Sequence, residues 1–254
     1  MSEQVERIQS YLRTAAGRVR DTERLGPFLA TFDRESDNRF LSYAVPDDGA
    51  LPSPADVGHL VAAFRRRGRT TRLEYVIAAA PAVEAVLVAE GFAVEGRLAV
   101  MICTPESLVD LPAPNGIELI RPRSDDELLD LVTAQGEAYG GFLSSPPQDS
   151  ARMRRNLAAG GIAVLAREAS TGEPAGGGIC SIPEDGVTEI ASVGVRSSFR
   201  RRGIAGAVVA RLTRKAFGAA VSLPFLTPES DAEERIYSRA GFRAVSEMLH
   251  ISLR

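Results

Sequence analysis

Val193-Gly194-Val195-Arg196-Ser197-Ser198-Phe199-Arg200-Arg201-Arg202-Gly203-Ile204-Ala205-Gly206 is the stretch on which the reading of this chain turns. Its first three residues end an apolar run, 190–195, with strand-like character. Its last residues open a helical pattern, because Ala205, Val208, Val209, Leu212 and Ala216 recur at i, i+3, i+4, i+7 and i+11 within 203–217. A strand therefore turns directly into a helix N-terminus. Such a terminus presents about four N–H groups without helical partners and a partial positive charge, a combination that binds phosphate. Gly203, Ala205 and Gly206 are small enough for a diphosphate to approach the backbone, and Arg200, Arg201 and Arg202 offer charge-assisted bonds. On these grounds alone the turn is either a phosphate cradle or a basic surface turn.

Working outward, residues 221–226 read as a strand, 231–239 as a helix stopped by Gly241, and 243–253 as a strand. Upstream, three strands over 162–167, 175–183 and 188–195 are separated by Ser170-Thr171-Gly172 and Glu184-Asp185-Gly186, the turn chemistry of an antiparallel meander. Ser124 caps a helix with Asp125, Asp126 and Glu127 in its first turn, running to residue 137 and preceded by a strand over 117–121. Residues 139–147 are too rich in Gly and Pro to be regular, and 153–159 read as a short helix. The fold class is α+β, a mixed and mostly antiparallel sheet flanked by helices.

A shift of 150 residues lays the first half on the second. Gly91-Phe92 falls on Gly241-Phe242, helix 82–89 on 232–239, strand 72–76 on 222–226, helix 56–67 on 206–217, and 40–45 on 190–195. This predicts a degenerate tandem duplication: a first domain over 1–104, a linker over 105–116 containing Pro105, Pro112 and Pro114, and a second domain over 117–254. The turn equivalent to 200–205 reads Ala50-Leu51-Pro52-Ser53-Pro54-Ala55. It has neither arginine nor glycine, and two prolines remove N–H donors, so one phosphate site per chain is expected.

Composition narrows the function classes. The net charge is -3 over 254 residues, so no global basic field points to nucleic acid, and Lys215 is the only lysine among 30 basic residues. That skew toward arginine lowers the weight of any single arginine run, including Phe64-Arg65-Arg66-Arg67-Gly68-Arg69. Two histidines, His59 and His250, and two cysteines, Cys103 and Cys180, lack metal-ligand or disulfide spacing, so no metal is expected and the thiols read as core residues. No apolar run approaches the roughly 18 residues of a membrane span, and a cytoplasmic, non-membrane protein is expected.

Arg200-x-x-Gly203-x-Ala205 resembles the R/Q-x-x-G-x-G/A signature of the GNAT superfamily of N-acetyltransferases, and residues 117–254 follow that family's element order. The resemblance implies an acyl-CoA-dependent N-acyltransferase using acetyl-CoA and a small-molecule or peptide amine acceptor. It places the pantetheine arm along Val193, Gly194 and Val195, and the diphosphate on Arg201, Arg202, Gly203, Ile204, Ala205 and Gly206. Tyr237, four residues before Gly241-Phe242, resembles the family tyrosine that protonates the departing thiolate; otherwise it is a packed tyrosine bonded to backbone. Glu189, which opens the fourth strand, corresponds to the glutamate that takes the amine proton in histone-type members; otherwise it is a solvated strand-end carboxylate. The chain departs from the family at Ser230 and Asp231, where many members carry an asparagine. Glu229 and Glu137 read as helix-end charges, with the lining of the acceptor cleft as the alternative for each. The alternative reading is a non-catalytic acyl-CoA-binding or regulatory module.

Overall fold

The computed structural model describes residues 2–141 and 145–253. In chain order the elements are α1 (Glu3–Val19), β1 (Asp21–Leu25), β2 (Phe28–Phe32), β3 (Tyr43–Pro46), α2 (Pro54–Arg66), β4 (Arg72–Val76), α3 (Val83–Ala89) and β5 (Phe92–Ile102). There follow β6 (Ile117–Ile120), α4 (Asp125–Tyr139), α5 (Pro146–Ala158), β7 (Ile162–Glu168), β8 (Pro174–Cys180), β9 (Val187–Val195), α6 (Ile204–Gly218), β10 (Leu223–Leu226), α7 (Asp231–Arg239) and β11 (Arg243–Leu253). Helices flank a mixed sheet, an α+β architecture. The order of three strands, helix, strand, helix, strand occurs twice, and α2 and α6 begin at Pro54 and Ile204, in the register of the sequence repeat.

The chain forms two compact units, Met1–Val100 with Ala244–Arg254, and Met101–Arg243. In the first, the strand order is β1-β2-β3-β4-β11-β5. Strand β3 meets β4 in parallel at Ala44 and Leu73, and β11 lies antiparallel to β4 from Met248 opposite Val76 to Ser252 opposite Arg72. In the second unit the order is β6-β7-β8-β9-β10, and the end of β5 closes it, with Ile102 opposite Phe225 and Met101 opposite Leu226. The boundaries thus differ from the expected halves. Each half ends in a strand that serves the other unit's sheet. Val100, Met101 and Ile102 of β5 and Cys103 just after it are all buried, so the last residues of the expected first half are core.

Residues 105–116 are likewise packed and not a free tether. The Val109 N–H donates to the Ala240 carbonyl at 3.2 Å, and Asp110 pairs with Arg214 at 2.5 Å. Gly241 sits at φ +98°, and a methyl group there would overlap the Ser107 carbonyl.

The second unit holds the elements around the cradle. A capping box between Ser124 and Glu127 starts α4, and Leu128, Leu131 and Val132 bury its inner face against Ala163 and Leu165 of β7. Gly177 leaves room on β8 for Leu131, so the Gly176-Gly177-Gly178 run is a helix-packing surface. Helix α5 begins at Pro146, seven residues before the expected start at Met153, because proline is tolerated in a first helical turn. The expected 139–147 loop is correspondingly shorter, and Phe142, Leu143 and Ser144 within it lie outside the described residues. Cys103 and Cys180 are buried free thiols.

Candidate functional site

Strand β9 departs from regular pairing where the site forms. Ala191 lies opposite Ile179 and Gly194 opposite Gly177, so β9 carries one extra residue. Ser192, inside this bulge, has φ +53°, a conformation that costs a non-glycine residue about 1 kcal/mol and is most often found at functional sites. On its other edge β9 pairs in parallel with β10 only from Val187 to Glu189. Beyond that point β9 runs on to Val195, while β10 ends at Leu226. The backbone edge from 190 to 195 is thereby released from β10.

The same strand delivers the chain to α6. Gly203 is the N-cap at φ +84°, and Arg201 also has positive φ, +62°. The Ala207 N–H makes the first helical bond, to the Gly203 carbonyl at 3.2 Å, so the N–H groups before it face out of the helix end. Gly206 is buried and Ala205 half-buried. The cradle expected at 200–206 is present as backbone geometry.

The arginines behave differently from one another. Arg200 donates from Nε to the Val195 carbonyl at 3.1 Å and from Nη2 to the Ala138 carbonyl at 2.9 Å. Its side chain braces the frame. Arg202 lies over the Phe199 ring, 5.3 Å from its centroid, and Arg201 is exposed.

The end of α4 rests directly on the bulge. Gln135 Nε2 donates to the Ser192 carbonyl at 2.7 Å, and the Tyr139 hydroxyl donates to the Val193 carbonyl at 3.1 Å. Gly194 allows a close approach here, because a Cβ would lie 3.0 Å from that of Ala138. Glu137 turns to Arg196, at 2.6 Å, which also holds Glu173 at 2.8 Å.

Tyr237 is buried on α7. Its pKa is raised, first by burial and then by Glu233, Tyr139 and Glu229. Tyr139 keeps half of its surface exposed, yet desolvation of its hydroxyl end, with Glu229 and Glu233, raises its pKa as well. Burial and Glu233 raise the Glu229 carboxyl. Ser230 caps α7 by accepting the Glu233 N–H at 3.3 Å, and Glu233 accepts the Glu229 N–H at 2.7 Å. Two tyrosines and two glutamates thus share one electrostatic neighbourhood. Glu189 is half-buried at the last β9–β10 pair, opposite Phe225. Gln135 and Glu233 were not among the expected site residues. Tyr139 was expected only as the first residue of the 139–147 loop, which resembles the family's acceptor-binding loop, and a tyrosine closing a helix before Gly140-Gly141 was the available signal for its place here.

The first unit treats its equivalent groove otherwise. Gln9 of α1 is fully buried and spans β3 and β4, donating to the Pro46 carbonyl at 2.9 Å and accepting the Val76 N–H at 3.0 Å. At the start of α2, Asp56 accepts the Ser53 N–H at 2.8 Å while Ser53 Oγ accepts the Asp56 N–H at 3.2 Å. The Ser53 hydroxyl also donates to the Asp56 carboxylate at 2.7 Å, and this bond first, then that from the Ser53 N–H, lowers the Asp56 pKa. A carboxylate of the chain itself already sits at that helix end.

Residues 128–242 match the family model described as Acetyltransferase (GNAT) family. This segment is a GNAT domain. A GCN5-related N-acetyltransferase from Kribbella flavida is 29% identical, with 98% of this chain and 95% of that one covered at a TM-score of 0.81. A GCN5-related N-acetyltransferase from Sphaerobacter thermophilus is 19% identical over 90% and 77% of the two chains, at 0.66. A tandem GNAT protein from the clavulanic acid biosynthesis pathway is 11% identical over 89% and 77%, at 0.65. The latter two are likenesses of fold alone. No curated protein matches this sequence. The GNAT domain contains β9, α6 and α7 whole, so the bulge, the cradle and Tyr237 all fall inside the matched segment. Among the described residues, no group of three or more His, Cys, Asp or Glu side chains could hold a metal ion, and no helix is long and apolar enough to cross a membrane.

Proposed function

We propose that this chain transfers an acyl group from an acyl-CoA, acetyl-CoA in the first instance, directly to an amine of a small molecule or peptide, with one cofactor site per chain. The observation that carries this reading is the end of β9–β10 pairing at Glu189, next to a helix capped by Gly203. The residues fit such a ligand. Small residues stand at 203, 205 and 206, outward N–H groups can take the diphosphate, and the β9 edge from Val193 to Val195 can take an extended arm.

When bound, acetyl-CoA supplies an activated thioester acyl group. Tyr237 keeps its proton at working pH, because burial and two carboxylates oppose phenolate formation, and it donates that proton to the leaving sulfur. Glu189 takes the proton of the incoming ammonium, which ordinarily has a pKa near 10.4. One observation favours Glu229 for that role: its raised pKa brings it closer to the operating pH, as a general base requires. We also propose that the first unit is a degenerate GNAT copy that serves as structure, because Gln9 and Asp56 fill the places an arm and a phosphate would use.

The test is calorimetric titration with acetyl-CoA, followed by thiol release over a broad amine panel. One site per chain and amine-dependent release are expected. Binding without release for any amine would assign the chain to a non-catalytic acyl-CoA-binding module, and two sites would overturn the reading of the first unit. Glu189→Gln and Glu229→Gln separate the two bases, since only the true base should lose the ascending limb of the pH profile.

A further inference from the structure

We infer that residues 107–115 form a wall of the cofactor site and receive the adenosine end of the ligand at Pro114 and Asn115. This rests on the cofactor reading proposed above. The segment is fastened along α6 and α7 and ends at the cradle. From Val109 on Ala240 and Asp110 on Arg214 it passes Gly206, where Leu111 Cδ1 lies 3.2 Å from the position a Cβ would take. It then reaches Gly203, where Pro114 Cγ lies 3.8 Å from the corresponding position. The Pro114 carbonyl accepts the Ile117 N–H at 3.0 Å, which holds the turn in place before β6.

A diphosphate seated on the α6 N–H groups carries two substituents. The arm that lies along β9 leaves toward Val195, which Arg200 ties to the helix approach. The nucleoside must leave the helix end on another side, and Pro114 is the segment's residue at the N-cap. The chemistry there suits an adenosine. Pro112, Ala113 and Asn115 are exposed and uncharged, and the one carboxylate of 107–115, Asp110, is paired with Arg214. A prolyl ring offers an apolar face to a purine, and an asparagine amide can donate to N7 and accept from N6 of adenine. Exposed Arg201 and Arg202 stand nearby in sequence for the nucleotide phosphates.

The experiment compares two probes by calorimetry on the full chain: acetyl-CoA, and S-acetyl-4′-phosphopantetheine, which lacks the adenosine together with its 3′-phosphate and the phosphate that joins it to the arm. Asn115→Ala, at an exposed position, and Pro114→Gly should each raise the acetyl-CoA Kd about fivefold or more, the lower end of what an amide–adenine pair contributes. Affinity for the truncated probe should not change. Thermal melts of both variants check that the segment stays docked. Equal losses for both probes, or no loss for either, would overturn the wall. Failure of the unaltered chain to bind either probe would overturn the cofactor reading itself and the wall with it.

Discussion

Arg200 donates to the carbonyl of Ala138 across 2.9 Å and so ties the approach to α6 to the last turn of α4. Its second bond, to Val195, holds the end of the cradle strand. The first arginine of the signature therefore acts on the protein's own carbonyls. Arg200→Ala should lower the Tm by about 3 °C, the shift for roughly 1 kcal/mol in a chain of this size, and weaken acetyl-CoA binding. Arg201→Ala should leave the Tm in place and reduce the salt dependence of binding. An unchanged Tm with lost affinity in the Arg200 variant would place that side chain on the ligand instead.

Tyr237→Phe should reduce kcat about a hundredfold, the lower range for loss of a positioned acid, with KM for acetyl-CoA little changed. Because the phenol pKa is raised, the descending limb of the pH profile should lie above the ordinary tyrosine value near 10. The same shift makes folding pH-dependent. The folded state holds this proton more tightly than the unfolded chain, so the contribution is full below about pH 10 and is lost as pH rises through the folded pKa. A descending limb below pH 9 that disappears in Tyr237→Phe would contradict the assignment.

In the first unit, Gln9→Ala removes the only side chain that meets both β3 and β4 in the bonds described. The Pro46 carbonyl keeps Arg13 as a donor, at 3.2 Å, but the Val76 N–H is left buried. The loss should be about 2–3 kcal/mol in chemical denaturation, and acetyl-CoA should still bind at one site. A second binding site in this variant would mean that Gln9 displaces a competent cofactor groove.

The position of β11 makes a different kind of demand. Its residues Met248 to Ser252 pair with β4, far back in the chain. A chain ended after Arg243 should lose the first unit as a cooperative transition in circular dichroism. The fragments 1–116 and 117–254 should each fail to fold alone and should recover structure when mixed. A stable fragment 117–254 would show that β11 can be spared from β4.

Much of this was legible in local chemistry. Ser124 announces its helix because a hydroxyl must satisfy a free N–H, and Gly203 announces the cradle because a residue without a side chain lets a diphosphate approach the backbone. The recurring element order was legible because α2 and α6 start 150 residues apart, and α3 and α7 end 150 residues apart. Other features carried no local mark. Pro146 looks like a loop residue and starts a helix. β1 and β2 pair around a two-residue turn at Gly26-Pro27 and escaped notice as strands. Tyr139 joins the site through packing of α4 on Gly194, which no spacing along the chain encodes. The partner of β11 was the deepest omission, since an apolar strand suits either sheet edge equally and only the folded chain chooses.

That choice has a genetic consequence. A premature stop or frameshift late in the reading frame removes a strand from the half encoded first, and an early deletion that takes Met101 and Ile102 removes the edge that pairs with β10. Trimming either half from the gene therefore takes a strand from the sheet that the other half needs. Selection on one half thereby preserves the other as well.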